Sequence, residues 1–579
     1  MNKNILHTVK GVAGCLLMAS LAAGCAQEDI DTAPSGGGGM SASSYVSLSF
    51  ASQQSTPTRS NPTGGEQGNG DETGQDYENE IKSAVAFFYQ GSGTDGVNSS
   101  GTTPIMAVAT FNVGSYTEPG NGIDRTYTTT PQQVDLDDGT YNVLVVANPG
   151  ADWWTGQSLT LADVRNHIQT TAWTASESGY SDFVMTSAAD ATLTLNSNPE
   201  SDPAKATVNV ERMAARLDYK AEASYPCTDP AYTGATVEIT GAALVNNLTA
   251  GSYMLKRVAS TVDGVPTYLG NETPDAGVQT NYVLDPWTAG KTSANNSFTI
   301  GGEANKTAKD LYGEWFGNIS QDPNHWAAYV QLGTEVTVGT ETWQRIGYTL
   351  ENTTAAEEAG KRYSTGVVFK AKFHPQGVAN YTEGETFFAY GTKIYASMED
   401  MMAGFYGSKF DDLDNITSCA TWGDVKQFIT STLLTNDPSG YNKYLEGLAE
   451  GKDDSETVAN ASSLTWGNYM LNECGYSKDE NGKVVLDQNG NVTRIALQPY
   501  GTRTYEDATC YYTWWVRHSN DNDDTKKGIM EYAIVRNNIY KLTVNSVYSL
   551  GGEVPEEESL IVDVYVNDWL LLDNETLPM

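Results

Sequence analysis

The chain of 579 residues carries 72 Asp and Glu against 34 Lys and Arg, a formal net charge of −38. Charge of that sign repels phosphate backbones and excludes nucleic acid as a partner. A hydrophobic content of 39% with 33 Tyr and 12 Trp excludes a disordered chain, and 56 Gly with 20 Pro favours many strands joined by tight turns.

The N-terminus reads as an address. Lys3 and Lys10 flank the start of an uncharged run from Gly11 to Ala23, too short to span a bilayer as a permanent helix. It ends in Leu21-Ala22-Ala23-Gly24-Cys25, the pattern of a bacterial lipobox. The small residues fit a signal-peptidase cleft, and the Cys25 thiol takes the lipid before becoming the new N-terminus. Residues 1–24 are therefore read as a lipoprotein signal peptide and 25–40 as a lipidated tether, flexible at Ser35 and Gly36–Gly39. A lipid on Cys25 anchors the chain without spanning the membrane. Glu28, Asp29 and Asp31 resemble signals that route lipoproteins to the outer face of the outer membrane. An ordinary secretory signal with an incidental cysteine is the alternative.

Tyr45 to Phe50 alternates, with Val46, Leu48 and Phe50 on one face, which predicts a half-buried strand. The Gly-, Asn- and Pro-rich stretch from about Ser52 to Asn79 predicts a long exposed loop. Ile81 to Gln90 is the next strand, with Val85, Phe87 and Tyr89 opposite Ala84, Ala86 and Phe88. Further strands are expected near 104–113, 124–135, 140–147, 182–195 and 206–221, and a short helix over Leu161 to Thr171. This pattern suggests a first β-sandwich over 41–225. A second β-rich region, 226–579, opens at Ala235 to Thr240. Helices are expected over Thr421 to Leu434 and Tyr441 to Ala449, and a strand at Lys483 to Leu486 flanked by two Asn-Gly turns. Segments 531–548 and 559–572 alternate strongly.

Catalytic chemistry is not visible. His167, His325, His374 and His518 are dispersed and form no HExxH. Gly290-Lys291-Thr292 resembles the end of a phosphate-binding loop, but the place of its first glycine is taken by Asp285. Asn520, Asn522, Asp524 and Glu531 match calcium-loop spacing with Thr525 where the turn wants glycine, so a solvated loop is expected. Carboxylate pairs for glycoside hydrolysis do not stand out among so many acids. Cys227, Cys419, Cys474 and Cys510 lack CxxC spacing, and their pairing is left open. The chain is read as not an enzyme, with no cofactor and no metal.

The two ends complement one another. Arg59 is the only Arg or Lys between Lys10 and Lys82, in the polar segment just after the first strand. A cut after Arg59 by an Arg-specific protease would remove the lipid, the tether and strand 45–50 together, and a solvated loop arginine is the other reading. At the other end Leu560, Val562, Val564 and Val566 make one unbroken apolar face, whose burial is worth roughly 6–12 kcal/mol gross. A sandwich that has lost its first strand offers an edge and a groove for such a strand from a second copy. A plain internal strand is the other reading of 559–572.

The lipobox, the loop arginine, Val210-Glu211-Arg212-Met213-Ala214-Ala215-Arg216 and Val535-Arg536-Asn537-Asn538-Ile539-Tyr540-Lys541-Leu542-Thr543-Val544 together resemble the fimbrillin superfamily of type V pili. Length and the C-terminal strand pair look most like the Mfa-type major subunits. The resemblance is sparse between about 250 and 480. It implies an all-β fold of two transthyretin-like β-sandwich domains, with a few short helices inserted. It also implies lipoprotein export, cleavage between Arg59 and Ser60, and polymerisation by donor-strand exchange through the strand centred on Val562, Val564 and Val566. The partners implied are other copies of the chain, accessory fimbrial subunits, an Arg-specific surface protease, and the outer membrane through the lipid on Cys25. A surface glycan-binding lipoprotein and a fimbrial tip adhesin are the alternatives.

Overall fold

The computed structural model describes residues 43–52, 67–91, 101–117, 126–150, 152–169, 183–220, 222–259, 341–353, 364–437, 439–473, 502–518, 531–553 and 560–570, with short pieces between 267 and 338. Among them no helix is long and apolar enough to cross a membrane. Strands dominate and helices are short, the all-β class expected from the sequence.

The first nine-stranded sheet is built from β1 (Ser43–Ser52), β3 (Ser83–Tyr89), β4 (Ala107–Thr117), β5 (Thr126–Thr129), β6 (Gln132–Asp135), β7 (Gly139–Ala147), β8 (Met185–Ser187), β9 (Ala191–Leu195) and β10 (Ala204–Arg212). Its order runs β10-β8-β7-β3-β4-β5-β1, and β1 pairs back onto β10, so the sheet closes on itself. Val46, Leu48, Phe50, Ala84, Phe88, Val143, Val145 and Val208 fill the enclosed core. The opposite faces of β3 and β7 are also covered. Val85, Phe87, Leu144 and Val146 pack there with Trp154, Leu161, Leu248 and Leu255. That is why both strands are apolar on both faces.

At Met213 the chain leaves this sheet for a second one, in which β11 (Ala214–Lys220) lies parallel to Asn538–Val547 and antiparallel to Glu341–Leu350. The terminal strand Leu560–Leu570 pairs antiparallel with Asn538–Val547, and β2 (Gln67–Thr73) pairs with the terminal strand on its other side. A further sheet contains Thr236–Val245, Gly366–His374 and Thr509–Trp515. Leu217, Tyr219, Leu542 and Val544 from one sheet meet Val237, Ile239, Phe369 and Tyr512 from the other in a shared core.

The longest described helices are gathered in one insertion between strands Lys393–Tyr395 and Thr502–Tyr505. It holds Met398–Tyr406, Trp422–Thr432, Tyr441–Ala449 and Trp466–Glu473 around buried Met401, Met402, Ile416, Val425, Leu445 and Tyr469. Thr421 caps its helix by accepting from the Asp424 amide at 3.3 Å, while Asp424 accepts from the Thr421 amide at 2.9 Å. Helices were expected over 421–434 and 441–449, and the structure has them there. The other two were not expected, although Ser397 with Asp400 three residues on, and Met398, Met401, Met402 and Phe405 at helical spacing, mark the first of them.

Three expectations are corrected. The stretch 52–79 is not wholly an exposed loop, because β2 and the helical turn α1 (Asp76–Asn79) lie within it and Glu72, Glu78 and Asn79 are buried. The strand expected over 206–221 is two strands in two sheets, divided at Met213. The helix at 161–171 ends at Arg165, since Asn166 already has non-helical geometry and its amide closes the turn on Ala162 and Val164. The Lys483–Leu486 strand, Asp285, Gly290–Thr292, His325, Cys474, Asn520, Asn522 and Asp524 lie outside the described residues.

Charged side chains hold the later part of the fold together. Arg536, 1% exposed, donates to Glu351 at 3.1 and 3.2 Å, to the Met254 carbonyl at 2.8 Å and to the Tyr253 carbonyl at 2.6 Å. Removing one member of such a pair leaves an unpaired buried charge. Arg536→Ala is therefore expected to lower unfolding stability by about 3–5 kcal/mol. Urea titration followed by tryptophan fluorescence checks this, and an unchanged midpoint contradicts it.

Candidate assembly site

β1 is the strand that closes the first sheet. Val46 to Ser52 run parallel to Ala204 to Val210, while Ser49 and Phe50 face Thr128 and Tyr127 across an antiparallel ladder. Ser43 to Val46 pair antiparallel with Gln132 to Asp135. Val46, Leu48 and Phe50 are each 0% exposed, as their alternation predicts. Their polar neighbours are also tied down. Ser47 Oγ donates to the Thr129 carbonyl at 3.0 Å, and the Leu48 amide donates to Thr129 Oγ1 at 2.9 Å. Withdrawing β1 opens an apolar channel with an unpaired β10 edge on one side and unpaired β5 and β6 edges on the other.

The terminal strand is held on both sides. Its ladder with Asn538–Val547 places Val562 opposite Val544, Val564 opposite Leu542 and Val566 opposite Tyr540. Val566 is buried in the second core. On the outer side Gln67 pairs with Val566 and Asp71 to Thr73 pair with Asp568 to Leu570.

A buried charge cluster lies where these elements meet. Arg216 donates to Asp218 at 3.0 and 2.8 Å and to Glu78 at 3.0 Å, and it also binds Glu72. Lys541 donates to Glu72 at 2.7 Å and sits 4.5 Å from the Trp343 ring centre. Arg212 donates to the Glu78 carbonyl at 3.0 Å, to Asn537 Oδ1 at 3.3 Å and to Asn79. Asn537 has φ of 56°, a left-handed geometry that asparagine tolerates, and its Oδ1 also accepts from the Arg212 amide at 3.1 Å. The two arginine-bearing motifs singled out in the sequence are thus the places where the sheets are clipped together. Burial works against the Arg216 charge, but Asp218, Glu78 and Glu72 outweigh it and hold its pKa above the ordinary value. Burial lifts the Asp218 carboxyl to about 6, with Arg216 opposing the rise and Glu72 and Glu78 adding to it.

The sequence-predicted residues fall unevenly on this geometry. Leu560, Val562, Val564 and Val566 lie along the terminal strand. Cys25, Arg59 and Ser60 lie outside the described residues. Cys227, Cys419 and Cys510 are buried. His167 stacks on Trp153 with ring centres 3.9 Å apart, His374 lies 3.2 Å from Glu383, and His518 bonds Tyr540 at 2.9 Å, so these three are not brought together. Among the described residues no group of three His, Cys, Asp or Glu could hold a metal ion. Glu72 and Glu78 were missed by the sequence reading, because a carboxylate in a polar segment carries no periodic signal.

Residues 503–575 match the family model described as major fimbrial subunit protein type IV, fimbrillin, C-terminal. No curated protein matches the chain. Among solved structures, one assigned to cell adhesion from Parabacteroides distasonis is 12% identical with a TM-score of 0.37, covering 91% of this chain and 100% of that one. The tip fimbrial protein Mfa3 from Porphyromonas gingivalis, C-terminally truncated, is 9% identical with a TM-score of 0.31, covering 91% and 100%. A fimbrillin, FimA, from Porphyromonas gingivalis is 12% identical with a TM-score of 0.30, covering 91% and 98%. Over residues 503–575 the chain is similar to the C-terminal part of fimbrillins, and the resemblance read from the sequence is borne out there.

Two outcomes follow from this geometry. Leu48→Ala is expected to cost about 2–5 kcal/mol, whereas Thr207→Ala, on the exposed face of β10, changes stability by less than about 0.5 kcal/mol; urea midpoints distinguish them. The second concerns pH. Asp218 titrates at 3.8 when unfolded and about 6 when folded, so the folded state holds more protons between these values. Its contribution to stability falls as pH rises through that window. Asp218→Asn should gain on the wild type between about pH 4 and 6, and a pH-independent difference contradicts this.

Proposed function

We propose that the chain is the shaft subunit of a cell-surface fimbria. It is exported as a lipoprotein acylated on Cys25, cut between Arg59 and Ser60 by an Arg-specific surface protease, and polymerised by donor-strand exchange. The donor is the terminal strand with Leu560, Val562, Val564 and Val566, and the acceptor is the channel that β1 occupies. Its partners are other copies of itself and accessory fimbrial subunits, with the outer membrane as its anchor before processing. Adhesion is the role of the finished fimbria.

The observation that carries this reading is the placement of β1. A strand with three fully buried apolar residues closes the first sheet, and Arg59, the only Arg or Lys between Lys10 and Lys82, follows it in the sequence. Losing those side chains from the core costs roughly 5–9 kcal/mol at about 1.5–3 each. The processed subunit is therefore left with a strong demand for a replacement. Val562, Val564 and Val566 repeat the two-residue spacing of Val46, Leu48 and Phe50. A strand taking the place of β1 in register runs parallel to β10 and antiparallel to β5. The family match over 503–575 supports the donor end. The division into 41–225 and 226–579 belongs to the same proposal, with the change of sheet at Met213 supporting a two-lobed chain.

Two variants test the reading. Arg59→Ala should leave an acylated monomer outside filaments, and normal filaments from it without another nearby cut contradict the mechanism. Deleting 560–579 should leave cleavage intact and abolish filaments by electron microscopy, and polymerisation of that form contradicts the donor assignment. Glycan binding by an uncleaved, non-filamentous monomer would favour a surface glycan-binding lipoprotein instead.

A further inference from the structure

We infer that β2 is a latch on the terminal strand and that Glu72 is its catch. The sequence of β2, Gln67-Gly68-Asn69-Gly70-Asp71-Glu72-Thr73, has no apolar residue and two glycines, so neither propensity nor hydrophobic burial accounts for a strand there. It nonetheless pairs with the terminal strand at Val566, Asp568, Trp569 and Leu570. What fixes it is Glu72, 5% exposed, whose Oε2 accepts from Lys541 Nζ at 2.7 Å and whose Oε1 binds Arg216.

The positions of these partners make the contact a strap. In the second sheet the order is β2, the terminal strand, Asn538–Val547, then β11. Lys541 therefore lies one strand beyond the terminal strand and Arg216 two strands beyond it, at about 4.8 Å per strand. The Glu72 carboxylate meets side chains that reach back across the terminal strand from the strands behind it. The terminal strand is bracketed between β2 and Lys541, and the Glu72–Lys541 ion pair joins the two sides. Freeing it requires β2 to leave, and that strips Lys541 of its only described ion-pair partner and Arg216 of one of three. Uncompensated buried charge makes that step costly.

The latch stands on this geometry alone; its use in assembly rests on the fimbrial reading above. Under that reading, β2 lies a short distance beyond the new N-terminus at Ser60. One cut then leaves β2 on the shaft subunit, where it restrains the donor until a neighbour's open channel competes for it.

Hydrogen exchange on the full, uncleaved chain at neutral pH tests the latch. Glu72→Ala should speed exchange in 560–570 at least about tenfold, with 83–89 and 204–212 protected as in the wild type. Lys541→Met, which keeps an apolar stem and leaves Glu72 with Arg216, should speed the same segment. Glu80→Gln, at an exposed carboxylate paired with Lys82 at 3.6 Å, should change nothing. Wild-type protection of 560–570 in both Glu72→Ala and Lys541→Met overturns the latch. Equal loosening of 83–89, 204–212 and 560–570 in both also overturns it, since Glu72 is then only a general prop. Selective loosening supports it even when the cleaved variants form filaments no faster, and that combination counts against the donor reading alone.

Discussion

Arg216 and the acids around it are the constraint on which the rest of the structure depends. One guanidinium gathers Glu72, Glu78 and Asp218, acids that lie as far as 144 positions from it in the chain. Lys541 joins them through Glu72 from 469 positions away. Ordering segments so distant has a large entropic cost, and hydrophobic contact does not supply the compensation for β2, which has nothing apolar to bury. In a dry interior each charge must find its partners or destabilise the fold, so the cluster admits few alternative arrangements. It sits where the chain passes from one sheet to the other at Met213. It thereby ties the segment after β1 to the strand beside the C-terminus.

β1 and the terminal strand are both paired within the single chain. β1 fills the core of the first sheet, and the terminal strand lies between two partners in the second. Neither presents a bare edge, and under the proposed function that keeps the subunit from pairing with another copy before it is cut. The held state and the proposed exchanged state use the same chemistry, a two-residue apolar alternation laid into a main-chain ladder. The difference between them is which copy supplies the strand.

Strands whose hold is hydrophobic were legible in the sequence. Val46, Leu48 and Phe50 announced β1 through period two, and the doubly apolar β3 was legible as a strand, though not as one covered on both faces. The helix after Thr421 was marked by its cap and its apolar spacing. Other elements carried no local sign. β2 is polar and glycine-rich, so it reads as a loop until Arg216 and Lys541 are brought to Glu72. The break at Met213 falls inside a run with an apolar residue at the break itself, and only the pairing of Ala214 with Leu350 shows that the strand has changed sheets. The arginine motifs were noticed as a resemblance before their work was apparent. Arg216 and Arg536 form buried ion pairs and Arg212 forms buried hydrogen bonds, a role that depends on partners far away in sequence.

In the proposed function, processing after Arg59 is the step on which assembly by strand exchange stands. The most direct measurement is N-terminal sequencing of the chain in purified surface filaments, with electron microscopy of the same fraction. Ser60 as the first residue of filamentous material is the predicted result. An acylated Cys25 at the start of the chain in those filaments would contradict it, because β1 would still fill the channel that a neighbour's strand has to enter.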